Sequence, residues 1–356
     1  MKKTISSFLL FLGIAFTFCN CEYEDDLLGN WKQQAALNAR GRGGSVCFTI
    51  DNKAYLVAGS GYYKNVEYYL DTWQYDPDTR SWTQFDTVPA SKGRCNGVGF
   101  AVNGKGYFGT GYGKEGILYK DFFEFDPSKP EGSQWTQTDS LPGEPIYGAL
   151  GFSLNGLGYV GTGLTKALGT SNIFYSYDPS KPAGSKWSKV PNINPAKRYF
   201  GSVFIIDNRA YIFGGVNNGN RVEDFERFDP EYEKGDFRWF KISQDLEYDY
   251  EETELYRQKA TAFSSGGRGY ICCGAAISGA SRSDVWEYIP FIGREHRGVW
   301  TKRASFEGSS RYNAVSFEAN GVGYIMCGQN GTGASNYYDD VWVFDPSEDY
   351  DRLPYK

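Results

Sequence analysis

One short pattern is written six times along this chain, and no other feature constrains the fold as strongly. A Tyr, two or three apolar or small residues and then a Gly recur at Tyr55…Gly59, Tyr107…Gly111, Tyr159…Gly163, Tyr211…Gly215, Tyr270…Gly274 and Tyr324…Gly328. Successive tyrosines stand 52, 52, 52, 59 and 54 residues apart. A fixed period of this length marks repeated supersecondary units that bury a core only against one another. A second apolar run precedes each Tyr and is joined to it by Asp51-Asn52, Asn103-Gly104, Asn155-Gly156, Asp207-Asn208, Gly266-Gly267 or Asn320-Gly321. Such dipeptides tolerate positive φ and make tight hairpins. Downstream of each Gly a third run ends in Asp-Pro at Asp76-Pro77, Asp126-Pro127, Asp178-Pro179, Asp229-Pro230 and Asp345-Pro346, with Ile289-Pro290 in the fifth copy. Pro cannot donate to a ladder and is expected to end the strand. A fourth run opens with Trp82, Trp135, Trp187, Trp239 or Trp300.

Each copy therefore predicts a four-stranded antiparallel unit. The 44 Gly in 356 residues and the 17% aromatic content suit many short strands and turns. The period, the apolar-Gly end of strand two, the spaced Tyr and Trp, and the Arg that opens most copies resemble the kelch-repeat β-propeller family over residues 30–356. Only Gly214-Gly215 shows that family's double glycine. The resemblance implies an all-β, six-bladed propeller with four antiparallel strands per blade. The sixth copy has no downstream Trp, whereas Gly29-Asn30-Trp31-Lys32-Gln33 reads like Arg80-Ser81-Trp82-Thr83-Gln84. The N-terminal strand is thus expected to pair into the last blade and close the ring, which removes an open sheet edge.

In this architecture strand one lines a central channel, and the loops before strand one and between strands two and three share a face on which kelch propellers commonly bind partners. Six residues before each strand-one aromatic stand Arg42, Arg94, Ile146, Arg198, Arg257 and Arg311. Beside them come Asn96, Tyr147, Tyr199, Phe200, Gln258, Tyr312 and Asn313. The loops between strands two and three add Tyr62, Tyr63, Tyr68, Tyr69, Tyr112, Tyr119, Asn217, Asn218, Asn220, Tyr337 and Tyr338. Two readings of the arginines stand side by side. As a ligand site, guanidinium forks among flat aromatic faces suit carboxylated or sulfated sugars or acidic peptide segments. As architecture, a residue repeated in nearly every copy stacks on aromatics and caps loop carbonyls. The tyrosines vary between copies and so carry more of any specificity.

The first residues read as an address. Lys2 and Lys3 precede an apolar stretch, 8–18, too short to span a bilayer and of signal-peptide length. The cysteines that follow, with Glu22, Glu24, Asp25 and Asp26, resemble a bacterial lipoprotein signal and the acidic export tag of Bacteroidetes surface lipoproteins. Residues 1–20 are then a signal peptide and 21–29 an acidic tether. Cys21 is preferred to Cys19 for lipidation because the acidic residues sit closer to it, and ordinary secretion is the alternative. The expected location is the outer membrane at the cell surface, through a lipid anchor. Cys47, Cys95, Cys272, Cys273 and Cys327 remain, an odd number, mostly in apolar runs where free Cys is a small buried hydrophobe. Cys272 and Cys273 are expected on opposite strand faces.

The chemistry is narrowed by a single histidine, His296. It excludes two-His zinc and multi-His copper or iron sites, the kelch oxidase chemistry included, and His296 is expected on a rim loop away from the channel face. No Gly-rich phosphate loop opens a helix. A pI near 5.1 offers no basic footprint for nucleic acid. The acidic insertion 245–254 has no EF-hand spacing and reads as a solvated loop, with Ca²⁺ binding as the alternative. Asp86-Thr87-Val88 and Asp139-Ser140-Leu141 match a short acceptor pattern for O-glycosylation in Bacteroidetes. No cofactor or metal is expected. The leading expectation is a non-catalytic envelope propeller that binds a glycan or an envelope protein. The alternative is a carbohydrate-active enzyme without His or metal, such as the sialic-acid mutarotases among bacterial kelch propellers, and a third reading is a subunit of an outer-membrane complex.

Overall fold

The computed structural model describes residues 28–167, 169–190, 196–231, 239–247, 255–291 and 297–350. Signal residues 1–20, Cys21, the acidic residues 248–254 and His296 lie outside them. Among the described residues no helix is long and apolar enough to cross a membrane.

Each repeat folds as predicted into one antiparallel sheet, and the sheets follow one another in chain order. The first blade is Val46–Ile50, Lys53–Val57, Thr72–Asp76 and Ser81–Phe85. Its hairpin turns on Asp51 and Asn52 at φ 48 and 63, and the other five dipeptides also take positive φ at both residues. This is the mirror-image turn whose twist matches the flanking strands. First strands touch first strands in a closed cycle around the molecule, and a channel of about 430 Å³ runs between them, walled by Thr49, Ala101, Ser153, Ile205, Ser264 and Glu318 among others.

The aromatic residues explain why the period is obeyed. The Phe of strand one stacks on the Tyr of strand two in all six blades, from Phe317–Tyr324 at 4.5 Å to Phe48–Tyr55 at 5.8 Å between ring centroids. Such cross-strand pairs stabilise a sheet beyond their area. The same Phe then wedges against the next blade, where the residue before Tyr must be small. Phe100 lies over Gly158 so closely that a Cβ there has no room, and Phe48 does the same to Gly106. The Trp of strand four packs on the aromatic that precedes Asp-Pro, as in Trp135–Phe125 at 4.8 Å and Trp187–Tyr177 at 4.9 Å.

Blade six is completed by the N-terminal strand Leu28–Gln34, antiparallel to Val341–Asp349, with Trp31 opposite Phe344. Trp31 is fully buried, 4.7 Å from the Phe344 ring. It thus occupies the place Trp82 takes against Tyr75 in blade one.

Three details depart from the sequence expectation. Strand Val341–Asp349 runs through Pro346, because a register shift between Leu28 and Asn30 absorbs it at a bulge. Blade five carries a fifth strand, Ser243–Leu246, parallel to Arg297–Arg303. The start of the acidic insertion is thus sheet, with Asp245 paired to Arg297 at 3.2 Å and Glu247 accepting from the Thr301 hydroxyl. Cys272 and Cys273 do not face opposite ways. The strand ends at Cys272, Cys273 turns left-handed at φ 61, and the two sulfurs come within 3.2 Å. All five cysteines among the described residues are free thiols, four of them buried.

The matched Asp86 and Asp139 are blade clamps. Asp86 accepts the main-chain N–H of Gly132 at 2.9 Å and of Gln134 at 3.0 Å in the next blade, and Asp139 does the same for Gly184 and Lys186. Architecture therefore accounts for the recurring Asp, whereas Thr87 and Ser140 are exposed.

Candidate functional site

Two concentric rings of main-chain hydrogen bonds frame one end of the channel. The residue two after each arginine position is Gly44, Asn96, Gly148, Phe200, Lys259 or Asn313, and all six have φ between 52 and 64. Each donates its N–H to the carbonyl of its counterpart in the preceding blade: Asn96 to Gly44 at 2.7 Å, Gly148 to Asn96, Phe200 to Gly148, Lys259 to Phe200, Asn313 to Lys259, and Gly44 to Asn313 at 2.9 Å. The six bonds run head to tail and close. Outside them, the Gly that ends each second strand donates to the carbonyl at the arginine position of the next blade, as Gly59 does to Arg94 at 2.9 Å and Gly328 to Arg42 at 2.7 Å. The residue before that Gly is also left-handed, which aims its own carbonyl inward.

This geometry decides the fate of the arginines. Arg42, Arg94, Arg198, Arg257 and Arg311 are all buried. Four use both fork nitrogens on an Asp at the entrance of strand three: Arg42 on Asp71 at 2.6 and 2.8 Å, Arg94 on Asp121, Arg257 on Asp284 at 3.0 and 2.6 Å, and Arg311 on Asp340 at 2.5 and 2.8 Å. Arg198 instead pairs with Glu226, two residues beyond the aligned Asp224. Each also donates to the inward carbonyl 16 residues on, at Ala58, Thr110, Gly214, Cys273 and Cys327. Tyr69, Tyr119 and Tyr338 lie over the guanidinium planes of Arg42, Arg94 and Arg311 at 4.6, 3.8 and 4.1 Å. The expectation of arginine forks open at a mouth is corrected: desolvation is tolerable for these charges only with carboxylate and carbonyl partners, so every fork is filled from within. Tyr69, Tyr119 and Tyr338 are their lids.

What the inner ring presents to solvent is different. Tyr68, Tyr112, Tyr147, Tyr199 and Phe200 form a partial collar, with centroids 6.2, 5.5 and 6.4 Å apart along the tyrosines and 5.0 Å between Tyr199 and Phe200. All are half-buried. Burial pushes the Tyr68 and Tyr147 hydroxyls up, with the Cys95 thiol adding to both. Tyr337 approaches Tyr68 from blade six, and its hydroxyl is likewise raised by burial. At the ring lies a cavity of about 150 Å³ lined by its six residues, Gly44, Asn96, Gly148, Phe200, Lys259 and Asn313, and by the residue after each. The Lys259 ammonium sits 4.6 Å from the Phe200 ring centroid and 5.1 Å from that of Tyr312. No carboxylate pairs with it among the described residues, and burial pulls its pKa below the usual lysine value. The Asn313 amide donates to Gln329 at 3.4 Å.

The Kelch motif model matches residues 197–234, the copy with the double glycine. Six four-stranded units in a closed cycle, one carrying that motif, decide the fold. The molecule is a six-bladed kelch β-propeller. The solved structure titled "Structure of YjhT" resembles the propeller with a TM-score of 0.68 at 15% sequence identity, over 86% of this chain and 95% of that one, and at such identity the likeness concerns fold alone. No curated protein matches the propeller in sequence.

Of the residues singled out from sequence, the structure brings Asn96, Tyr147, Tyr199, Tyr312 and Asn313 together at the mouth and takes the five arginines away from it. Lys259 joins them without a signal of its own in the sequence, although it stands two residues after Arg257 as Asn96 stands after Arg94. Asn217, Asn218 and Asn220 line a separate polar cavity of about 670 Å³ beside blade four. Among the described residues no group of three or more His, Cys, Asp or Glu is placed to hold a metal.

Proposed function

We propose that the propeller is a binding protein whose ligand is an acidic carbohydrate seated at the channel mouth. The observation that carries this reading is the aromatic collar beside the Lys259 ammonium, with which no carboxylate pairs among the described residues. Flat aromatic faces pack on the apolar faces of sugar rings, amides from Asn96 and Asn313 match hydroxyls, and Lys259 supplies the charge that a carboxylated or sulfated sugar requires. The fold by itself adds only that one face of a rigid scaffold is available for binding.

A glycan screen on residues 22–356 tests this, with hits followed by NMR of the reducing sugar. Lys259→Met is expected to weaken acidic glycans by about tenfold, the size of a hydrogen bond to a charged group, and to spare neutral ones. Tyr199→Ala should weaken both. Accelerated exchange between anomers would turn the reading into a mutarotase, and a screen without hits would favour an envelope protein as partner.

Display on the outer membrane belongs to the same proposal and rests on the sequence of residues 1–26. Palmitate incorporation should vanish in Cys21→Ser and persist in Cys19→Ser. The reverse pattern would move the anchor.

A further inference from the structure

Blade three departs from its siblings at three positions at once. Where blades one, two and six carry an arginine, a tyrosine lid and an aspartate (Arg42, Tyr69 and Asp71 in blade one), blade three carries Ile146, Ser171 and Ile173. The Ser171 hydroxyl accepts the nearby Ile173 N–H at 3.1 Å. In the same place the structure holds a cavity of about 390 Å³, lined by Leu141, Ile146, Val160, Thr162, Thr170 and Ile173 among others. Its floor is polar in two spots. The hydroxyls of Thr162 and Thr170 are buried without a hydrogen-bond partner, on side chains 0% and 8% exposed. The Thr162 carbonyl stands 16 residues after Ile146, the place at which five sibling carbonyls take an arginine N–H, and isoleucine has none to give.

We propose that this vacated socket is a second ligand site, separate from the channel mouth, for a small neutral aromatic molecule that carries an N–H donor. The siblings show what the space accommodates: a flat, delocalised guanidinium with an aromatic ring on it. Loss of the aspartate removes the buried carboxylate that a buried cation needs, and the two charged residues that also line the cavity, Glu144 and Lys197, are exposed to solvent. Loss of the tyrosine opens the side through which a planar ring enters. The isoleucines, Leu141 and Val160 gain from covering its apolar faces. An N–H directed at the Thr162 carbonyl and the threonine hydroxyls satisfies groups that are costly to leave unpaired.

Indole is the probe. In protein labelled at the isoleucine methyls, it should shift Ile146 and Ile173 saturably and leave the channel-mouth ligand's affinity unchanged. Ser171→Tyr restores the lid, and the triple variant Ile146→Arg, Ser171→Tyr, Ile173→Asp restores the whole sibling trio. Each should weaken indole at least about tenfold. Ser171→Tyr alone decides the matter if the triple variant does not fold. No saturable shift in the native protein, equal binding to Ser171→Tyr, or tighter binding of benzamidinium than of indole each overturns the proposal. The last result would mean that the socket still selects a cation.

Discussion

Cutting the chain back to Leu37 will remove the strand Leu28–Gln34 and lower stability by on the order of 5 kcal/mol or more, enough to take a typical domain near its unfolding threshold. The strand supplies the outer edge of blade six. Its Trp31 is 0% exposed, lies 4.9 Å from Phe306 and 4.7 Å from Phe344, and donates its indole N–H to the Ala304 carbonyl at 3.2 Å. Trp31→Ala alone should cost about 3–5 kcal/mol through lost burial and the cavity left behind. The truncation adds the ladder with Val341–Asp349 and leaves an unpaired edge open to other chains. Urea unfolding followed by circular dichroism, with light scattering for association, measures both effects. A truncated chain that melts like the intact one would show that ring closure contributes nothing.

Arg198→Met should be the most damaging point substitution among the arginines, at about 3–5 kcal/mol. In the other four pairs the carboxylate keeps 18–26% of its side-chain surface, whereas Glu226 keeps 7% beside an Arg198 with none. Arg198 also donates to the carbonyls of Gly214 at 2.9 Å and Asp224 at 3.2 Å. Burial already lifts the Glu226 carboxyl above its ordinary 4.5, with Arg198 and the Ala196 N–H pulling the other way. Without the arginine the carboxyl rises further. A carboxyl whose pKa is higher folded than unfolded favours the fold when protonated, and that contribution fades as pH rises from its unfolded value through its folded one. The deficit of Arg198→Met against the native protein should therefore be smaller near pH 4.5 than at pH 8. Adding Glu226→Gln should recover much of the loss, since an amide carries no charge to strand. A pH-independent deficit that Glu226→Gln leaves untouched would show that packing, and not the charge, is what Arg198 provides.

Much of the fold was legible because its signals are local. The turn dipeptides, the Phe–Tyr stack and the Trp that packs before Asp-Pro are set by residues adjacent in chain or ladder, so six copies could be aligned without coordinates. Trp31 was legible for the same reason, as a fourth-strand signature displaced to the other end of the chain. Strand Ser243–Leu246 was not, because its parallel partner Arg297–Arg303 lies about one repeat away and no period announces it. Cys273 breaks the expected alternation because alternation holds only within a strand, and the strand ends one residue earlier.

By itself the sequence determined the unit, its sixfold repetition and the strand that closes the ring, since period and pattern follow from covalent spacing. Only the tertiary structure decided what the arginines do. Each is answered by a carboxylate 27–29 residues away and by at least one carbonyl, and a guanidinium so held has little left for a ligand. The tertiary structure also made Lys259 distinctive. Its ammonium meets Phe200 and Tyr312, from the blades on either side, because the closed main-chain ring holds these three blades at that separation. In blade three the departure at Ile146 is written in the sequence, and only the tertiary structure decided that it leaves a cavity of about 390 Å³.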